Sequence, residues 1–298
     1  MTTNSDQLTR FLLPDAGVRG VHVRLDDSWK SLAEHVAYPP VASQLLGQAM
    51  AACALLTGHV KVDGRLSLLL RSPGPMRTLF AECTAAGHVR GVVRLDDNAD
   101  APDDLSRLDE ESMLAMTIEN PGLDPREPQR YQSFVNLGAA TLDKVLEDYF
   151  RQSEQLPTRL LLVADQGRIA GLMLQRLPGD TGDEDGWNRT CALFDTLGHQ
   201  ELAQTDATTL LLRLFHEEAP ELVGNKAIDF ACSCSRDRVA GMLESLGREE
   251  ALAAADSNGG EVEVRCEFCA REYHFSLTDL NLLFSQSAAS SQAPDQLH

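Results

Sequence analysis

The sequence predicts an α+β protein in three parts: an N-terminal mixed α/β core domain, a helical linker and a small C-terminal domain held by cysteines. Three observations predict it. From Gly20 to about Pro178 the apolar residues follow both the period of two and the period of 3.6. The run GDTGDEDGW at 179–187 then breaks the pattern with residues that suit a loop. Beyond it, four of the seven cysteines fall between positions 232 and 269. The chain is accordingly divided into residues 1–180, 181–231 and 232–298.

In the first part, Val21, Val23 and Leu25 alternate and Leu66, Leu68, Leu69 and Leu70 form an apolar run; both read as strands. Between strands lie helices. Val41 to Val60 is dense in Ala and Leu, and residues 141–155 place Leu142, Val145, Leu146, Tyr149 and Phe150 on one face. Residues 181–231 carry ten acidic and three basic side chains, a net of −7, with a helix expected at 208–218 presenting Leu211, Leu214 and Phe215. A charged segment with one short apolar stripe is held only by what it packs against. Within 232–298 a helix is expected at 238–246, then a turn at Asn258-Gly259. Strand-spaced sets follow at Val262 and Val264 and at Tyr273, Phe275 and Leu277. The small, polar tail from Ser285 reads as disordered.

Composition excludes several function classes. A formal net charge of −19 over 298 residues repels phosphate backbones and anionic lipid, so neither nucleic acid nor a membrane surface is an expected partner. The start, MTTNSDQLTRFLLPDAG, lacks a basic region followed by an apolar one, and no segment has about 18 uninterrupted apolar residues. The expected location is the cytoplasm. No Walker loop, G-x-S-x-G elbow or H-E-x-x-H helix occurs, so the chain is not read as an enzyme.

The four clustered cysteines are the candidate metal ligands. Cys232-x-Cys234 and Cys266-x-x-Cys269 are separated by the stretch from Ser235 to Arg265, and two close thiolate pairs brought together by a fold supply the tetrahedral set that Zn2+ prefers. One zinc per chain in the reduced state is expected. A domain of about 60 residues buries too little apolar surface to stand easily alone, and structural zinc contributes roughly 10–16 kcal/mol of apparent binding free energy that is also folding free energy. Thiolates are also what peroxide or hypochlorous acid attacks, so oxidation should expel the metal and unfold the domain. His274 follows Cys269 by five residues but alternates away from Tyr273 and Phe275, and four thiolates already fill the tetrahedron. Cys53, within AMAACALL, reads as a buried small hydrophobe, and Cys83 and Cys191 have no motif around them.

With these residues in place, the chain resembles the redox-regulated heat-shock holdase chaperone family of bacteria, the thirty-three-kilodalton chaperonins. The resemblance rests on Cys232-Ser233-Cys234-Ser235-Arg236-Asp237-Arg238 and on Cys266-Glu267-Phe268-Cys269 followed by Tyr273 and Phe275. It extends through Asp148-Tyr149-Phe150-Arg151-Gln152-Ser153-Glu154-Gln155-Leu156-Pro157-Thr158, Gly74-Pro75-Met76 and Arg19-Gly20, and so spans almost the whole chain. Asp237 stands where the family often has Glu, and Ala170-Gly171 where it often has two glycines. The resemblance implies an ATP-independent chaperone that is inactive when reduced and zinc-bound. On oxidation it would form Cys232–Cys234 and Cys266–Cys269 disulfides, release zinc and unfold its C-terminal domain and linker. It would then hold unfolding client proteins, as a homodimer. The competing reading is a zinc ribbon that binds nucleic acid through Arg236, Arg238, Arg265 and Arg271. Against it, residues 232–298 hold eleven acidic and five basic side chains, a net of −6.

Overall fold

The computed structural model describes residues 6–124, 127–165, 167–179 and 182–291. The chain divides into two compact units, Met1–Ala231 and Cys232–His298. In the first unit, β1 (Gln7–Leu13), β2 (Val18–Arg24), β8 (Thr158–Asp165), β9 (Arg168–Arg176) and β10 (Glu221–Ala227) form an antiparallel sheet in the order β10-β1-β2-β9-β8. A second sheet takes β3 (Arg65–Arg71), β4 (Met76–Thr84), β5 (His88–Leu95), β6 (Met113–Asn120), β7 (Gln129–Val135) and β11 (Asp229–Phe230), ordered β11-β5-β4-β3-β6-β7. Only its β11-β5 pair is parallel.

After α1 (Asp26–Ala33), α2 (Pro40–His59) forms the centre of the core. Proline in the first helical turn costs no hydrogen bond, because the amide it lacks would have had no partner inside the helix. Twelve residues of α2 are buried, and its Ala-rich surface packs on Val21 and Val23 of one sheet and on Leu66 and Leu68 of the other. Although α2 is long and apolar enough to cross a membrane by composition, that apolar surface is used inside the protein. Close packing also explains the Ala170-Gly171 pair. A Cβ on Gly171 would lie 2.7 Å from Cδ1 of Leu55 in α2, whereas Ala170 joins a separate buried cluster where a methyl group fits.

The helix expected over 141–155 is regular only in α3 (Leu142–Tyr149). Phe150–Glu154 widen into a π-helical turn that ends at Gln155, whose φ is +55°. The turn puts the adjacent rings of Tyr149 and Phe150 on the core side, edge to face at 5.5 Å. It is closed by Tyr149 Oη donating to Glu154 Oε1 at 2.7 Å and Leu156 N donating to Phe150 O at 3.0 Å.

Residues 181–231 belong to the first unit and are more structured than their composition suggests. Besides α6 (Ala207–Phe215), which is close to the expected helix, they form α4 (Gly186–Phe194), α5 (His199–Gln204), β10 and β11; residues 180 and 181, where the sequence boundary falls, lie outside the described residues. Asp206 caps α6 by accepting from Thr209 N at 3.0 Å. Leu211, Leu214 and Phe215 are buried as their spacing requires, against Phe11, Leu13, Val18, Leu172 and Leu174 on the outer face of the five-stranded sheet. Phe215 stacks on Phe11 with ring centroids 6.4 Å apart. Gly20 makes that possible, since a Cβ there would sit 2.1 Å from Cζ of Phe11.

The second unit contains α7 (Arg236–Leu246), α8 (Arg248–Ser257), the antiparallel pair β12 (Glu261–Arg265) and β13 (Glu272–Ser276), and α9 (Leu277–Ser291). Its core is Val239, Leu243, Ala251, Ala255, Val262, Tyr273, Phe275 and Leu280. The Asn258-Gly259 turn leads from α8, which sequence periodicity did not suggest, into β12. The tail also departs from expectation: α9 carries helix through 285–291, anchored by buried Leu280, while residues 292–298 lie outside the described residues.

Candidate metal centre

Two loops build the site. Cys232 and Cys234 lie just ahead of α7, whose start is fixed by Ser235 accepting from Arg238 N at 3.2 Å. Cys266 and Cys269 occupy the connection between β12 and β13, which the Arg265 to Glu272 pairing brings to a narrow neck. Within it, Cys266 N donates to Arg271 O at 2.9 Å and Ala270 N to Cys266 O at 2.8 Å, with Ala270 in the left-handed region at φ +52°. These bonds hold both thiols on the same side of the turn.

All four Sγ atoms lie within 4.8 Å of one another. Across the sequence pairs, Cys232 Sγ lies 3.6 Å from Cys266 Sγ and Cys234 Sγ lies 3.4 Å from Cys269 Sγ. A tetrahedron with metal–sulfur bonds of about 2.3 Å has sulfur–sulfur edges of about 3.8 Å. The donor set therefore fits a tetrahedral thiolate metal such as zinc in number, chemistry and spacing. Cys269 is buried and the other three are half-buried, so the centre lies near the surface.

Neighbouring groups bias the thiols. Against the burial that would raise it, hydrogen bonds from Tyr273 and the other cysteines bring Cys234 down to about 7; Tyr273 Oη donates to its Sγ at 3.1 Å. Burial pushes Cys232 up, and Cys269 up to about 12. The Arg271 guanidinium is held charged by Tyr273 and by the nearby thiols of Cys234 and Cys269. Arg236 has a structural task, donating to His274 O at 2.6 Å, stacking 4.2 Å over Phe275 and pairing with Asp279 at 3.4 Å. His274 faces Glu261 at 3.6 Å and takes no part in the sulfur cluster.

A family model described as Hsp33 protein matches residues 6–276. The chain belongs to the Hsp33 family. Among curated Hsp33 relatives, the 33 kDa chaperonin of Ectopseudomonas mendocina (strain ymp) is 42% identical over 98% of this chain and 99% of its own. That of Nitrosococcus oceani is 41% identical over 95% and 96%. The crystal structure of the 33 kDa chaperonin (heat shock protein 33 homolog) from Thermotoga maritima shares the fold, with a TM-score of 0.75 at 22% identity over 96% of this chain and 99% of that one. These relatives are named as chaperonins, a non-enzymatic role.

The Hsp33 fold brings together all four cysteines singled out from sequence and keeps the other three apart. Cys53 and Cys83 are buried in the first unit, and burial raises both thiols, Cys83 to about 11; Cys191 is half-buried and also raised by burial to about 11. Such thiols hold little thiolate near neutrality. Tyr273 is the site residue that sequence reading missed. Its strand spacing marked it as core, and only its position four residues after Cys269 hinted at the sulfur contact.

Proposed function

We propose that this protein is a redox-regulated, ATP-independent chaperone, and that Cys232, Cys234, Cys266 and Cys269 hold one zinc ion in its inactive, reduced state. The observation that carries the reading is the clustering of four thiols at tetrahedral spacing in a unit whose core, among the described residues, is eight buried apolar side chains. Bound zinc would keep the thiols ionised and add folding free energy to that thin core. The chain's own part is to hold two loops in register: β12 and β13 present one pair, and the capped start of α7 presents the other.

Oxidation ends that arrangement. Each disulfide, Cys232–Cys234 and Cys266–Cys269, forms from two thiolates with loss of two electrons. Two equivalents of peroxide or hypochlorous acid accept the four electrons and, with protons taken from solvent, become water, with chloride in the second case. Disulfide sulfur is a poor ligand, so the metal leaves and residues 232–298 lose their principal support. Residues 181–231, with a net charge of −7, follow. In this reading residues 1–180 are the stable core, 181–231 the linker that senses both oxidation and unfolding conditions, and 232–298 the switch. The activated form binds unfolding client proteins, as a homodimer, in the cytoplasm.

The test compares reduced and oxidised protein for suppression of aggregation of a heat-unfolded client, with zinc release followed in the same sample. Activity should appear with metal loss and vanish on re-reduction with zinc. Equal activity in both forms would refute the switch.

A further inference from the structure

We propose that the cleft at the C-terminal end of α2 is a binding site for a small anionic amphiphile, a carboxylate head on a short apolar body. The cleft has a volume of about 240 Å³ and is rimmed by Arg10, Lys61 and Lys226, with apolar walls from Leu8, Val60 and Ile228. No carboxylate lines it, in a chain of 45 acidic and 26 basic residues. Strand register creates the rim. Leu8 pairs with Lys226 and Arg10 with Gly224, so both cations rise from the same face of the β1-β10 ladder as Leu8, and α2 brings Lys61 across from them. Lys226 Nζ donates to Ala85 O, whereas neither Arg10 nor Lys61 has a carboxylate partner among the described residues.

Three gathered cations repel one another, and the C-terminal carbonyls of α2 offset only part of that repulsion. An anion relieves it. Apolar walls beneath a polar rim are what a head-and-tail ligand requires, and the cleft is smaller than the roughly 300–1,000 Å³ that drug-sized ligands fill. Lys226 and Ile228 belong to residues 181–231, so an occupant fastens that segment to α2. This consequence, unlike the binding itself, rests on the proposed chaperone cycle.

Calorimetric titration of the reduced full-length protein with octanoate, octanol and inorganic phosphate tests the site. Octanoate should bind saturably at one site per chain, more tightly than either other probe. The Arg10→Gln/Lys61→Gln double variant should weaken it by about tenfold, with an unchanged circular-dichroism spectrum. Both positions are exposed, so the fold should survive, and Lys61→Arg should bind octanoate where Lys61→Gln alone does so weakly. Absence of saturable octanoate binding, octanol or phosphate binding equally well, or an unaffected double variant would overturn the proposal. If octanoate binds as expected yet leaves oxidative activation unchanged, the site stands and the release of residues 181–231 is what fails.

Discussion

Acid should weaken the first unit through His22, a wholly buried histidine on the sheet face that α4 to α6 cover. Among the described residues its Nε2 has no hydrogen-bond partner. Burial first, and the charge of Arg24 second, lower it from 6.5 to about 4, with Asp206 at the start of α6 pulling the other way. Because the folded value lies below the unfolded one, the stability contribution is complete above about pH 6.5 and is lost as pH falls toward 4. At about pH 5 the unfolded histidine is almost fully protonated and the native one about one-tenth so, a cost of about 2 kcal/mol that levels off at roughly 3 kcal/mol below pH 4. Urea unfolding at about pH 7.5 and about pH 5 measures it, in wild type and in His22→Leu, which takes up no proton. Other groups contribute to both proteins, among them His59, which burial and Arg19 also lower to about 4. The difference between the two acid losses isolates His22. An equal loss in both would show that His22 is not held neutral by the fold.

Three further outcomes are expected. Mass mapping of oxidised protein should find Cys232–Cys234 and Cys266–Cys269 links with zinc released. Links between the loops instead, Cys232–Cys266 and Cys234–Cys269, would staple the two loops together and contradict unfolding of the unit. Replacing Cys53, Cys83 and Cys191 together by Ser or Ala should preserve oxidative activation in the aggregation assay, at some loss of stability, since burial keeps all three as thiols; a folded, zinc-binding triple variant that failed to activate would reveal a hidden redox partner. Leu214→Ser/Phe215→Ser removes two buried side chains at roughly 2–5 kcal/mol each. It should yield chaperone activity in the reduced, zinc-bound protein, and amide protection across 207–215 retained in the oxidised, active state would argue against that segment's release.

Sequence made the large apolar elements and the metal centre legible because their signals are local. α2 is a long stretch of dense Ala and Leu, α6 buries Leu211, Leu214 and Phe215 at helical spacing with Leu210 beside them, and two cysteine pairs at close spacing need only a fold to meet. What it concealed depends on distant partners. β10 is mostly exposed and lacks strand alternation; it is a strand because β1, at the opposite end of the unit's sequence, offers it a ladder. α8 turns its buried side to the core through Ala251 and Ala255, too small to register as an apolar stripe. Residues 181–231 looked sparse because Phe194, Leu197 and Leu202 are spread among acidic residues and become a layer only over the five-stranded sheet.

The placement of β10 and β11 has a mechanical consequence. Each is the outermost member of its sheet, and the chain runs from one through the other directly toward Cys232. Tension arising at that cysteine meets the two-residue β11 first, held where Asp229 N donates to Gly87 O and Ala231 N to Val89 O, and reaches β10 only after that hem has come undone. Stripping both away leaves the ladders β1-β2-β9-β8 and β5-β4-β3-β6-β7 uncut and α2 still enclosed between them, so the chain can peel from its borders inward without the garment losing its seams.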